Sequence, residues 1–137
     1  PSNKLYVLFE GKFRSDIIDG RGNEVLIFLQ DKTVHPCTGC SVCSMYGKPC
    51  PQKDDAVEIV EKMIAADVIV MATPVYFYTM CGQMKIMIDR CCARYTEITN
   101  KEFYFIIAAA STASVASSIA WKDHWKKGRS MESVHGK

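Results

Sequence analysis

The stretch "ADVIVMATP", residues 66–74, constrains the fold more than any other: it is almost wholly apolar and ends in a proline. A strand with one wet face alternates apolar and polar residues, whereas a continuous apolar run fits a strand buried on both faces. Parallel sheets with helices on each side are built from such strands. "NEVLIFLQ" (23–30) and "EFYFIIAAAS" (102–111) read as two more. Helix-period segments lie between them. In "KDDAVEIVEKMIAA" (53–66), Asp55 can cap with Glu58 three residues on, and Val57, Val60, Met63 and Ile64 keep helical spacing. "CGQMKIMIDRCCARY" (81–95) puts Met84, Met87, Ile88 and Cys91 on one face. This alternation implies an α/β fold, a doubly wound parallel sheet in three α/β/α layers. At 137 residues and 48% apolar content, with no internal repeat and no linker, the chain is expected to form one domain over 1–137.

The ends carry weaker patterns. "SNKLYVLFEGKFRSDIIDGRGN" (2–23) fits a helix capped by Ser2, with Leu5, Leu8, Phe9, Phe13 and Ile17 as its stripe, or a strand over "KLYVLF". The helix is preferred, because little chain remains before Asn23 for a loop and a full helix. The basic tail "AWKDHWKKGRSMESVHGK" (120–137) reads as a partly ordered terminal segment. A net charge of +2, evenly spread, argues against a nucleic-acid partner. No apolar run reaches the roughly 18 residues of a membrane span, and no secretory leader is apparent. A cytoplasmic protein is therefore expected. There, seven cysteines speak for metal binding, redox work or packing rather than a disulfide framework.

"HPCTGCSVCSMYGKPC" (35–50) concentrates four of them in a loop spanning 35–52. Cys37, Cys40, Cys43 and Cys50 have the form C-x2-C-x2-C-x6-C, and thiolates so spaced can wrap an inorganic core as a [4Fe–4S] set. Zinc, which favours two separated pairs, comes second; reduced loop thiols are the plain alternative, and His35 reads as a loop residue. "TPVYFYTM" (73–80) sits where a buried strand ends and a helix begins, the edge at which open α/β sheets bind ligands. Tyr76, Phe77 and Tyr78 offer ring faces to a planar ligand, or they cover the core or a dimer contact. Lys85 and Asp89 have i,i+4 spacing for an ion pair and, with Arg90, are read as structural. Cys81, Cys91 and Cys92 are read as core or half-buried thiols.

Taken in order, "PCTGCSVC…C", "QKDDAVEIVEKMIAADVIVMATPVYFYTMCGQMKIMIDR" and "NKEFYFIIAAA", within residues 36–110, resemble the flavodoxin-like NAD(P)H-dependent FMN reductase family. The iron–sulfur flavoprotein branch is the nearest match in pattern. The resemblance implies an oxidoreductase with FMN, a [4Fe–4S] cluster on Cys37, Cys40, Cys43 and Cys50, and NAD(P)H as a possible electron donor. It implies an isoalloxazine against Pro74, Val75, Tyr76, Phe77 and Tyr78, with Ala110 and Ser111 as neighbours and Ser2 opening a helix at the phosphate. Expected partners are a small-molecule acceptor or a ferredoxin-like carrier, and a second copy in a homodimer or homotetramer. No membrane partner is expected. Nothing like the family's Gly/Ser/Pro-rich phosphate loop precedes "SNKL", and only "STASVASSI" (111–119) separates "IIAAA" from the tail. The fold is therefore expected to be incomplete at its first strand and before the tail. The rival readings are a non-enzymatic flavodoxin-like carrier and a zinc-stabilised α/β interaction module without flavin.

Overall fold

The computed structural model describes residues 4–8 and 24–109. Their strands are β1 (Lys4–Leu8), β2 (Glu24–Phe28), β3 (Val68–Tyr76), β4 (Thr79–Met80) and β5 (Glu102–Ala108). The helices are α1 (Val42–Tyr46), α2 (Asp55–Ala65) and α3 (Gly82–Arg90), with 3-10 turns at Leu29–Asp31, Cys91–Ala93 and Tyr95–Glu97. The strands β2, β1, β3 and β5 lie side by side, all parallel, and β4 folds back antiparallel on the end of β3.

Lys4–Leu8 is thus a strand, not the start of a helix. Leu5 is level with Val25 on one side and Ile69 on the other, so neighbours on both edges take up the backbone of this segment. Such pairing overrides a local pattern that suits either state. The chain supplies a central strand of its own, contrary to the expectation that the first strand is missing. Residues 9–23, with Phe9, Phe13 and Ile17 of the expected stripe, and the tail from 110 on lie outside the described residues.

The connection from β1 to β2 leads one way across the sheet, and those from β2 to β3 and from β3 to β5 lead the other way. Crossovers between parallel strands are right-handed, so the helices of the last two share one face. The packing agrees. Ile59 and Met63 of α2 and Met84 and Met87 of α3 share a core with Ile27, Ile69, Met71, Phe103 and Phe105. The strand β5 alternates rather than being buried throughout: Phe103 and Phe105 face this core, while Tyr104 and Ile106 on the opposite face are exposed. Pro74 does not end β3. Pairing with β1 stops at Ala72, so the missing proline N–H falls beyond that ladder, and β3 continues to Tyr76 beside Ala108 and then β4.

The helix α2 is capped by Asp54, not Asp55: its carboxylate accepts the Ala56 N–H at 3.2 Å. The Asp55 carboxylate instead accepts the Thr33 N–H at 2.7 Å, and Glu58 pairs with Lys62 rather than closing a capping box. The buried ridge is Ala56, Ile59, Val60 and Met63, which turns Val57 outward at 45% exposure. The helix α3 is shorter than the expected 81–95, and Lys85 and Asp89 form the expected ion pair at 2.5 Å. Cys81 and Cys91 are buried, and burial, with Asp89 nearby, pushes the Cys91 thiol up to about 12; Cys92 is exposed.

Met63 is fully buried, so Met63→Ala should cost about 2–5 kcal/mol. Val57→Ala should stay within about 0.5 kcal/mol. Urea unfolding of the two variants at constant m-value checks the difference.

Candidate functional site at the carboxyl edge of the sheet

Because β1, β2, β3 and β5 are parallel, their carboxyl ends share one edge. The direction of travel reverses between β1 and β3, and ligands of open α/β sheets bind at such a switch point. At the end of β3 the chain makes a two-residue hairpin: Val75 pairs with Met80 and Tyr76 with Thr79. The turn residues Phe77 and Tyr78 have φ of 48° and 67°. Positive φ at both positions is the requirement of a type I′ turn, usually met by Asn-Gly. Two aromatics in this conformation cost about 1–3 kcal/mol each. The buried Thr73 hydroxyl braces the base of the turn, accepting the Cys81 N–H at 3.1 Å and donating to Pro74 O at 2.9 Å.

The turn aims its rings outward. Phe77 is 95% exposed and meets Tyr78 edge-on at 5.8 Å; Tyr76 is 55% exposed. Pro74 and Val75 behind them are half-buried. Exposed flat faces at a switch point fit a planar ligand such as a flavin ring. Ser2 lies outside the described residues; the segment expected to continue it as a helix is a strand from Lys4 on. Ala110 and Ser111 lie outside the described residues.

The cysteine loop leaves β2 at the same edge, two strand spacings or about 10 Å from the end of β3. Gly39, Ser41 and Gly47 all take positive φ, which turns the backbone sharply around the one-turn helix α1. Cys37 and Cys40 are exposed, Cys43 and Cys50 half-buried. Among the described residues no three Cys, His, Asp or Glu side chains gather closely enough to hold a metal ion. The donor chemistry nonetheless fits an iron–sulfur cluster. Four soft thiols share one loop, and the Val42 N–H, with the Thr38 side chain, holds the Cys40 thiol below its usual range. Hydrogen bonds to sulfur are a feature of such sites.

A buried ion pair that the sequence pattern did not reveal closes the neck of this loop. Asp54 and Arg90, 2% exposed at each side chain, form a bidentate pair at 2.5 and 3.0 Å. Arg90 also donates to His35 O at 2.8 Å and approaches Cys50 Sγ at 3.5 Å, while Asp54 accepts the His35 N–H at 2.9 Å. Burial alone would raise the Asp54 carboxyl, but the Arg90 fork and the His35 and Ala56 N–H groups hold it below the usual range. Beside Cys50 lies a mainly apolar cavity of about 150 Å³, lined by Pro49, Ala56, Val60, Arg90 and Ala93. It is too small for a flavin-sized ligand. A separation of 36 positions hid the contact from any reading of local pattern.

The fold and the switch-point site define a flavodoxin-like α/β protein. Solved structures agree. An NAD(P)H:quinone oxidoreductase from Methanothermobacter marburgensis superposes with a TM-score of 0.69 at 16% identity, over 100% of this chain and 87% of the other. An azoreductase from Bacillus anthracis gives 0.67 at 11% identity, over 98% and 86%. The sequence profile of the NADPH-dependent FMN reductase family matches residues 11–131, and the chain belongs to that family. An iron–sulfur flavoprotein of Methanocaldococcus jannaschii is 47% identical over 64 residues, 47% of this chain and 33% of the relative. One from Archaeoglobus fulgidus is 39% identical over 89 residues, 64% of this chain and 43% of the relative. The chain thus spans about a third to two-fifths of these relatives.

Because folding lowers the Asp54 pKa, the unfolded chain protonates first. The stabilisation is complete above the unfolded value of about 3.9 and is lost as pH falls through the lower folded value. Urea midpoints of the parent should therefore drop below about pH 4. Asp54→Asn should start about 3–5 kcal/mol lower at pH 7 and lose less on acidification. Parallel pH curves for the two proteins would show that Asp54 does not carry this acid sensitivity.

Proposed function

We propose that this chain is the flavin- and cluster-bearing part of an oxidoreductase that moves electrons between NAD(P)H, or a reduced carrier, and an acceptor. Family membership supports FMN and NAD(P)H. The single observation that carries the site is the strained aromatic turn at the β1/β3 switch point. In this reading the backbone of Pro74 and Val75 lines the polar edge of the flavin. Tyr76, Phe77 and Tyr78 wall its ring and exclude water, and Ala110 and Ser111, which follow β5 in sequence, complete the wall. Bound FMN supplies hydride acceptance and release of single electrons. Cys37, Cys40, Cys43 and Cys50 hold a [4Fe–4S] cluster, supported by the thiol donor set and by the iron–sulfur flavoproteins among the relatives.

The acceptor is a small oxidant or a ferredoxin-like carrier, and the protein works as a homodimer or homotetramer in the cytoplasm. Exposed rings on the turn support pairing between copies, since a partner would cover them. No described helix is long and apolar enough to cross a membrane.

Anaerobically purified protein should show flavin absorption, contain iron and acid-labile sulfide, and oxidise NAD(P)H with a quinone as acceptor. Cys40→Ala should abolish iron and sulfide while leaving the helix signal. Stoichiometric zinc without sulfide would overturn the cluster assignment. Tyr76→Ala should weaken FMN binding about threefold to tenfold, the worth of one ring face. Lys85→Ala, in a surface ion pair one helix away, should not. Phe77→Gly relieves a positive φ, so it should raise the stability of the flavin-free protein by up to about 1 kcal/mol while lowering FMN affinity. If both quantities rise, the turn is packing only.

A further inference from the structure

Arg90 contributes more to the cysteine loop than an ion pair requires. Its two terminal nitrogens grip the two Asp54 oxygens, Nη1 to Oδ2 and Nη2 to Oδ1. A guanidinium held in this way is fixed in its plane, and the outer hydrogens of the two nitrogens point to opposite flanks of the fork. One flank is His35 O, at 2.8 Å from Nη1. The other is Cys50 Sγ, at 3.5 Å from Nη2. His35 opens the cysteine run and Cys50 closes it. A single buried side chain on α3 therefore clips both ends of a loop that belongs to a different crossover. It also brings a cation and an N–H donor to one of the four thiols. Lysine could keep the charge, but with one nitrogen it could not serve Asp54, His35 O and Cys50 in fixed directions.

We propose that Arg90 is a positioning residue for the iron–sulfur site. Gripped by Asp54, it fixes Cys50 at the neck of the loop, and through its N–H and charge it sets the reduction potential of a cluster held there. The inference rests on the cluster reading above. Hydrogen bonds to ligand sulfur and nearby positive charge favour the more negative, reduced form, so both raise the potential. Removing the directed N–H should lower it.

The test compares anaerobically prepared parent, Arg90→Lys, Arg90→Met and Lys85→Ala proteins. Iron and sulfide per chain, melting temperature and the cluster midpoint potential are read for each. Lys85→Ala alters an exposed pair on the same helix and should match the parent in all three. Arg90→Lys should keep most of the melting temperature. Its cluster should shift toward the oxidised form by about tenfold at a fixed potential, which is 59 mV for a one-electron couple. Arg90→Met should shift further or fail to load iron. Failure of a still-folded Arg90→Lys to load iron would equally support the positioning role. If loaded Arg90→Lys titrates at the parent's potential, Arg90 is structural only and the inference falls while the cluster reading stands. If Arg90→Lys loses its fold together with its iron, the pair is structural and the inference falls as well. A parent protein without iron and sulfide overturns both.

Discussion

Parallel pairing on both sides of β1 is the constraint from which the rest of the architecture follows. Parallel neighbours can be joined only by crossovers, and right-handed crossovers leave no choice of face once the strand order is set. The order β2-β1-β3-β5 sends the last two crossovers the same way, so α2 and α3 must share a face and a core. The same order opens the crevice between β1 and β3, because neighbouring connections there diverge. The aromatic turn and the cysteine loop leave β3 and β2 at that edge. Their proximity is a property of the topology before it is a property of any side chain.

The buried Arg90–Asp54 pair solves a second problem. A loop running from His35 to Asp54 has little core of its own, and most of its residues are exposed. Burying two charges costs several kcal/mol per ion unless geometry and remaining hydrogen-bonding capacity are both satisfied. Here the carboxylate receives the Arg90 fork, the His35 N–H and the Ala56 N–H, so its lone pairs are well used. The guanidinium leaves only Nε buried without a hydrogen-bond partner. One carboxylate thus caps α2, neutralises Arg90 and fastens the loop entrance. Closing a long loop costs entropy that grows slowly with length, which makes a single well-satisfied clasp at its neck sufficient.

What could be read from the sequence was what local pattern decides. The apolar run at 68–73 announces a buried strand, and Met84, Met87 and Cys91 announce the inner face of α3, because burial and periodicity write themselves into residue type. What could not be read was decided at a distance. Leu5 and Leu8 suit a helix or a strand, and only the neighbours Val25–Phe28 and Ile69–Ala72 settle the matter. Asp54 and Asp55 are chemically the same, so the choice of cap turned on where Arg90 and Thr33 lie. Pro74 looked like a strand terminus because its tolerance depends on where β1 stops. The four cysteines were legible as a set and as a chemistry, whereas the cation beside Cys50 comes from a helix 40 positions further on.

The turn at Phe77–Tyr78 was hidden for a different reason: its residues contradict its geometry. A type I′ hairpin asks for Asn-Gly, and a scan for turn residues passes over two aromatics. Against a total stability of about 5–15 kcal/mol for an ordinary domain, two strained residues are a substantial charge. At Phe77 the fold recovers little of it, since that ring is almost fully exposed and meets Tyr78 edge-on. Asn-Gly at these positions would make the same β3–β4 connection with less strain. A gain at Phe77 then has to come from what its ring meets outside the turn, and a surface that suits it is flat, largely apolar and close to the switch point. A flavin ring satisfies all three conditions at once. A second copy of the chain satisfies the first two and gains the third only if it meets the flavin edge, which would make cofactor binding and assembly two sides of one burial event.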